Sequence, residues 1–99
     1  RIMTEKDKKH LEARAQVIKA LGHPSRLLMV EELADQELSV WELTDKVGAS
    51  ISTVSKHLTV LKNAGIVADE KRGNQVFYRL RVPCILNFFG CVEAVLAKD

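Results

Sequence analysis

The segment from residue 39 to residue 65 constrains the fold of this chain most, because its pattern predicts two short helices around a tight turn. In the second helix, Val54, Leu58 and Leu61 fall at i, i+4 and i+7 and form one apolar stripe. The opposite face carries small polar and cationic side chains, namely Ser52, Ser55, Lys56, Thr59 and Asn63. Such a face suits the major groove of DNA, where it meets base edges and phosphates. The segment is therefore predicted to be a helix-turn-helix that binds DNA.

Two helices are predicted to precede this segment. The first spans about residues 5–21 and the second about residues 24–36, with Pro24 suited to the first turn of the second helix. In the first helix, one stripe consists of Leu11, Ala15, Ile18 and Leu21, and the second helix is expected to bury Leu27, Leu28, Val30 and Leu33. The third helix is expected to begin at an N-cap, Ser39, with Glu42 completing a capping box, and to end at Gly48.

After Gly65 the pattern changes from helical to alternating, which predicts a β-hairpin. The hairpin pattern is the alternation of Val76, Tyr78 and Leu80 with Phe77, Arg79 and Arg81, and residues 72–75 supply turn chemistry. A two-stranded hairpin directly after a helix-turn-helix is a wing. Its tip carries Lys71, Arg72 and Asn74.

A last helix is predicted from Pro83 to about Lys98, and its apolar flank is unusually large. The flank consists of Ile85, Phe88, Phe89, Val92, Val95 and Leu96. One small domain cannot easily cover it, whereas the matching helix of a second copy would. The sequence therefore predicts a mainly α, single winged-helix domain over residues 1–99, with the element order ααααββα and a homodimer formed through the first and last helices.

The net charge of +2 is too small to indicate DNA binding by itself, but its distribution is informative. Residues 31–46 hold six acidic side chains against one Lys, whereas residues 52–81 hold six cations against two acids. The second half of the chain is thus the better candidate for phosphate contact.

Several other classes of protein are disfavoured by the sequence. No segment approaches the ~18–20 consecutive apolar residues of a membrane helix, and no signal peptide is visible. The two cysteines are those expected of a cytoplasmic protein rather than of a secreted disulfide framework. Catalysis finds no support, because there is no Gly-rich phosphate loop and no nucleophile with a partner nearby in the sequence. We therefore expect a cytoplasmic, non-enzymatic protein without a membrane partner.

Three segments resemble the ArsR/SmtB-type winged-helix repressors, a family that responds to metals, metalloids or thiol chemistry. They are Ala20–Leu27, the recognition helix and its exit over residues 52–67, and the wing over residues 71–80. The resemblance covers nearly the whole chain in the right order. It implies a homodimer that binds a palindromic operator and is released by an inducer.

The known inducer sites of that family are absent at the corresponding positions. A Cys-x-Cys pair in the third helix is replaced by Ser39 and Trp41, and the last helix has no His for a zinc site. Glu31 stands where a persulfide-sensing branch has a cysteine of the second helix. Any inducer would therefore have to use other residues.

The remaining candidates are Cys84 and Cys91, which share a face of the predicted last helix. They stand about 10.5 Å apart along its axis, from the ~1.5 Å rise per residue, so one intact helix cannot bridge them by a disulfide. In a dimer, either thiol could approach a thiol of the partner. We expect them to sense arsenite or a soft metal ion, with two alternatives left open: a thiol-redox or sulfur response, or two small core residues in an inducer-free regulator.

The predicted DNA-binding residues are Ser52, Thr53, Ser55, Lys56, His57, Thr59, Lys62, Lys71, Arg72 and Asn74. Thr53 is included because the first turn of a recognition helix penetrates deepest. His23 is expected to start a helix, Trp41 to lie in the core or an interface, and Arg26 to contact either phosphate or a carboxylate of Glu5 or Glu31. A winged helix used only for protein contact is the remaining alternative, although the polar face of the recognition helix favours DNA.

Overall fold

The computed structural model describes residues 1–98. It contains five helices and three short strands in the order α1 (Glu5–Leu21), α2 (Pro24–Glu32), β1 (Leu38–Ser39), α3 (Val40–Val47), α4 (Ile51–Asn63), β2 (Val67–Arg72), β3 (Gln75–Leu80) and α5 (Ile85–Leu96). The helix-turn-helix and the wing occur where the sequence predicts them.

The helix boundaries follow from local chemistry. Ser39 caps α3 with its hydroxyl, the Glu42 carboxylate returns to the Ser39 N–H, and Gly48 ends the helix at φ 74°. These three predictions are confirmed. Pro24 occupies the first turn of α2, as expected, and Ser50 caps α4 by accepting from the Thr53 N–H. Side chains therefore satisfy amide groups that a helix terminus leaves free.

The wing is a hairpin of β2 and β3 in which Val67 pairs with Leu80 and Arg72 pairs with Gln75. Its two-residue loop contains Gly73 at φ 61°, a conformation that side chains disfavour. The predicted two-stranded wing is confirmed, and a further strand that was not predicted, β1, pairs with β3 and gives a three-stranded sheet in the order β1-β3-β2. Strand β1 has two residues, too few to produce the alternating pattern by which a strand is recognised.

The core lies between α2, α3, α4 and the sheet. Its members are Ala20, Leu21, Met29, Val30, Leu33, Leu38, Leu43, Val54, Leu58, Leu61, Ile66, Val67, Tyr78 and Leu80. In α2, Val30 and Leu33 are buried as predicted, but Leu27 is 37% exposed and Met29 is fully buried instead. Helix α2 thus presents the Met29, Val30 and Leu33 face to the core.

The two terminal helices are poorly covered. Of the predicted stripe in α1 only Leu21 is buried, while Leu11 and Ile18 are exposed. Helix α5 begins at Ile85 rather than at Pro83, after a turn that contains Pro83 and Cys84, and none of its residues is buried. Together with α2, these helices border an open apolar cavity of about 350 Å³, lined by Ile18, Leu21, Leu27, Phe88, Phe89 and Val92 among others.

Candidate nucleic-acid interface

Helix α4 is divided into a buried stripe and an exposed polar face. Val54, Leu58 and Leu61 are all 0% exposed, which fixes the rotation of the helix about its axis. The remaining faces turn outward, and the exposed polar residues among them are Ser52, Thr53, Ser55, Lys56, Thr59, Lys62 and Asn63. The packing of the buried stripe therefore determines which side chains α4 presents to a ligand.

The first turn of α4 holds hydroxyl groups and no acidic residue. The Ser50 hydroxyl donates to Thr53 Oγ1 at 2.9 Å and lies 3.2 Å from the Ser52 hydroxyl. With no carboxylate nearby in the first turn, the partial positive charge of the helix N-terminus stays uncompensated there, which favours an approaching phosphate. Ser50 is not among the predicted DNA-binding residues, so its membership of this hydroxyl cluster was missed.

Thr59 and Ser55 share a hydrogen bond within the helix. The Thr59 hydroxyl donates to the Ser55 carbonyl at 2.9 Å, so its proton is already used. The Ser55 hydroxyl is exposed and one helical turn from the N-terminal cluster.

His57 differs from the other predicted DNA-binding residues because it is half-buried and faces the second helix. Its Nδ1 lies 3.1 Å from Nη1 of Arg26, and its ring centroid is 4.4 Å from that of His23. Burial lowers the pKa of His57 below its ordinary value, and the charges of His23 and Arg26 act in the same direction. His57 therefore contacts side chains of the protein itself, Arg26 and His23.

The contacts of Arg26 also differ from those that the sequence predicts. It contacts neither Glu5 nor Glu31, because its Nε donates to the Ala20 carbonyl at 2.6 Å and Nη1 faces His57. His23 caps α2 by accepting from the Ser25 N–H at 3.1 Å, which confirms its predicted place at a helix start. Trp41 is 60% exposed, so the expectation that it lies in the core is wrong for the protomer. The alternative, that Trp41 lies in an interface, stays a prediction.

The cation at the end of α4 is paired within the protein. Lys62 Nζ lies 2.9 Å from the Asp69 carboxylate on β2, and this hydrogen bond raises the pKa of Lys62. By contrast, Lys56 has no hydrogen bond or ion pair within residues 1–98. Lys56 is consequently the freer of the two cations on this helix.

The wing carries a similar contrast. Arg72 lies 2.5 Å from Glu37 and 2.7 Å from Glu70, and its guanidinium stands 4.8 Å above the Phe77 ring. The hydrogen bond from Arg72 lowers the pKa of Glu70. Lys71 and Asn74 are exposed, and in the described part of the chain neither side chain has a hydrogen bond.

The cysteines lie away from this surface, on α5 and its N-cap. Both are exposed, so the alternative that they are core residues is wrong for the protomer. Cys84 makes no capping hydrogen bond, and seven residues separate it from Cys91. Among residues 1–98, no three His, Cys, Asp or Glu side chains are grouped closely enough to hold a metal ion. A single protomer supplies two thiols, and a three-coordinate ion would need a third ligand from elsewhere.

Helix α4 has a buried apolar stripe and an exposed polar face, and it is followed by a β-hairpin that carries cations. A recognition helix next to such a wing defines the winged helix-turn-helix class of protein. The sequence model described as "Bacterial regulatory protein, arsR family" matches residues 23–69, from the cap of α2 into β2. An uncharacterized HTH-type transcriptional regulator of Mycobacterium tuberculosis is 36% identical over 86 residues, which cover 86% of this chain and 75% of the relative. The chain belongs to the ArsR family of bacterial regulatory proteins.

Two further similarities extend this assignment. The biofilm growth-associated repressor of Xylella fastidiosa is 40% identical over 79 residues, covering 79% of this chain and 69% of the repressor. The solution structure of a homodimeric winged helix-turn-helix DNA-binding domain from Mycobacterium bovis superposes with a TM-score of 0.82 at 28% identity, covering 95% of this chain and 87% of that one. The predicted family and winged-helix fold are confirmed.

No helix within residues 1–98 combines the length and hydropathy that crossing a bilayer requires.

Proposed function

We propose that this chain is a cytoplasmic transcriptional repressor that binds a palindromic operator in double-stranded DNA as a homodimer. The observation that carries the proposal is the exposed polar face of α4, held outward by three fully buried side chains and followed directly by the wing. Ser52, Thr53, Ser55 and Lys56 would enter the major groove, while Lys71 and Asn74 would reach the backbone or the minor groove. The similarity to the biofilm growth-associated repressor of Xylella fastidiosa supports repression, rather than activation, of transcription.

The homodimer is supported by the uncovered apolar residues of the terminal helices. Val95 and Leu96 are 72% and 68% exposed, and no residue of α5 is buried within the protomer. Apolar patches of this kind mark interaction surfaces, and a two-fold dimer would cover the same patch on both copies. The homodimeric domain from Mycobacterium bovis has the same fold. Two recognition helices would then face successive major grooves, about 34–36 Å apart.

We further propose that an inducer is sensed at the α5 cysteines, with arsenite or a soft metal ion favoured. Cys84 and Cys91 are the only thiols of the chain, and both are exposed. Soft thiolate ligands select soft ions. A third sulfur would come from the partner protomer or from a small thiol. Because α5 is the proposed dimer helix, a change in how the two copies of α5 cross would alter the spacing of the recognition helices.

The experiment measures binding to a duplex of about 30 base pairs, long enough for two half-sites, selected by the protein from a randomised pool. Fluorescence anisotropy is recorded with and without arsenite, a soft metal ion and an oxidant. Release by arsenite or the metal alone supports ion sensing, and release by the oxidant alone supports the thiol-redox alternative. If no duplex is enriched, the DNA-binding proposal fails and a protein-interaction role replaces it.

A further inference from the structure

One side chain of α2 joins three helices. The guanidinium of Arg26 donates through Nε to the carbonyl of Ala20, in the last turn of α1, at 2.6 Å. Its Nη1 lies 3.1 Å from Nδ1 of His57, in the middle of the recognition helix α4. Arg26 is half-buried, so both contacts are partly shielded from water. The side chain therefore links the recognition helix to a proposed dimerisation helix.

The geometry also defines the protonation state of His57. A guanidinium has only N–H donors, so the facing Nδ1 has to accept, and the ring is neutral with its proton on Nε2. Beside it, the His23 ring lies 4.4 Å away between centroids, and its own Nδ1 accepts from the Ser25 N–H. Protonation of His57 would remove the acceptor and place a second cation against Arg26.

The groups that act on His57 provide no compensating negative charge. Helix α4 packs against α1, α2, α3 and β2. Within the described chain, the charged or titratable groups that shift the pKa of His57 are His23, from the turn before α2, and Arg26, from α2 itself. Both favour the neutral ring. No carboxylate is among them.

We propose that Arg26 and His57 are positioning residues for DNA binding, whose neutral bridge orients the recognition helix and makes operator affinity fall in acid. The inference rests on the proposed DNA binding and deepens it. The bridge is one connection between the α1 terminus and α4, so its loss would let α4 shift against the dimer helices. A groove-reading helix has to be placed within a fraction of an ångström to keep its base contacts.

The test compares variants that remove the bridge with one that keeps it. Arg26→Gln and His57→Ala are each expected to weaken binding to the selected duplex about tenfold at neutral pH, as loss of a hydrogen bond to a charged group does. Their effects should not add in the double variant, since both remove the same bridge. His57→Asn places a carbonyl oxygen near the position of Nδ1 and cannot titrate, so it should bind more tightly than His57→Ala.

The pH profile distinguishes a positioning role from a purely structural one. Affinity is measured at about pH 7.5 and about pH 5, well below the ordinary histidine pKa, because the pKa of His57 is itself lowered. Wild type should weaken at least threefold in acid beyond the control, whereas His57→Asn should change no more than the control. The matched control is His10→Asn, because His10 Nε2 lies 3.3 Å from Arg14 Nη2 in an exposed pair confined to α1.

Thermal unfolding of each variant at both pH values separates loss of fold from loss of positioning. If Arg26→Gln does not fold, the comparison of His57→Ala with His57→Asn still tests the inference. Equal acid weakening of wild type and His57→Asn would overturn the inference, as would additive effects of the two bridge-removing changes. A wild-type protein that selects no duplex at neutral pH would instead overturn the proposed DNA binding, and this inference with it.

Discussion

The guanidinium of Arg72 and the carboxylate of Glu37 lie 2.5 Å apart, although 35 positions separate them in the chain. Arg72 is in the wing, whereas Glu37 directly precedes β1. A second carboxylate, from Glu70, lies 2.7 Å from the same nitrogen. Pairs this exposed contribute little to stability, but two carboxylates offset the positive charge that the wing offers to DNA.

We therefore expect Lys71 to contribute more to phosphate binding than Arg72. Lys71→Ala should reduce the slope of log affinity against log salt by about one unit, as loss of one phosphate contact does. Arg72→Ala should reduce it by less, and Lys56→Ala by about one unit. Anisotropy titrations between about 50 and 200 mM salt measure the slopes. Lys9→Ala, on α1, is the control, and an unchanged slope for Lys71→Ala with a full unit lost for Arg72→Ala would refute this ranking.

Ser55 should affect which operator is chosen more than how tightly DNA is bound. Its hydroxyl is exposed on α4, and hydroxyls in a groove contact base edges without adding charge. Ser55→Ala should shift the base preference at one or two positions, at a cost of about 1 kcal/mol against the wild-type operator, as loss of one neutral hydrogen bond does. Selection from a randomised duplex pool measures the preference. Thr44→Val, whose hydroxyl donates to the Val40 carbonyl within α3, serves as control and should select the wild-type sequence.

The exposed residues of α5 should control assembly. Val95→Glu is expected to convert the dimer to monomer at micromolar concentration, because burying an unpaired carboxylate in an apolar interface costs several kcal/mol. Sedimentation velocity gives the mass. Gln36→Glu adds the same charge at an exposed position between α2 and β1, outside the terminal helices, and should remain dimeric. A wild-type protein that sediments as a monomer at micromolar concentration would disprove the dimer.

The cysteines should determine the response to an inducer rather than basal DNA affinity. Cys84→Ser, Cys91→Ser and the double variant should bind the selected duplex like wild type and lose release by arsenite or a soft metal ion, since a hydroxyl replaces a soft thiolate poorly. Binding is followed during titration with each ion. If the ions release wild type and the double variant alike, or release neither, the cysteines are not the sensor.

Acid should destabilise the protein through His57. Burial and neighbouring cations lower the pKa of this ring in the folded state below its unfolded value of 6.5. As the pH falls through that value, the unfolded chain binds the proton first, so the free energy of unfolding decreases. Urea unfolding at about pH 7.5 and about pH 5.5 measures the loss, which His57→Asn should reduce and His10→Asn should not. An equal loss in both variants would show that groups other than His57 cause the destabilisation in acid.

The elements predicted well are those whose signals lie within a few residues. The capping box at Ser39 and Glu42, the left-handed Gly48 and the Gly73 turn each act over three or four positions, so the sequence displays them directly. The buried stripe of α4 is predicted for the same reason, since one helical period defines it.

The contacts that the sequence did not reveal join distant positions. Arg26 meets His57 across 31 residues, and no local pattern indicates that a guanidinium and an imidazole from different helices share a site. The apolar stripe that contains Ile18 likewise indicates a covered face without indicating which chain covers it, and in the protomer Ile18 is exposed. Which residues touch DNA remains a prediction.

Ser39 has a consequence for the DNA itself. This residue is 2% exposed, its backbone pairs with Phe77 of the hairpin and its hydroxyl caps α3. The hairpin therefore cannot swing away from the helices without losing its strand pairing with the residue that caps α3. When groove width and protein do not match, the duplex is the partner that has to bend or twist. Sequence-dependent stiffness of base pairs that the protein never touches would then help to decide which sites are occupied.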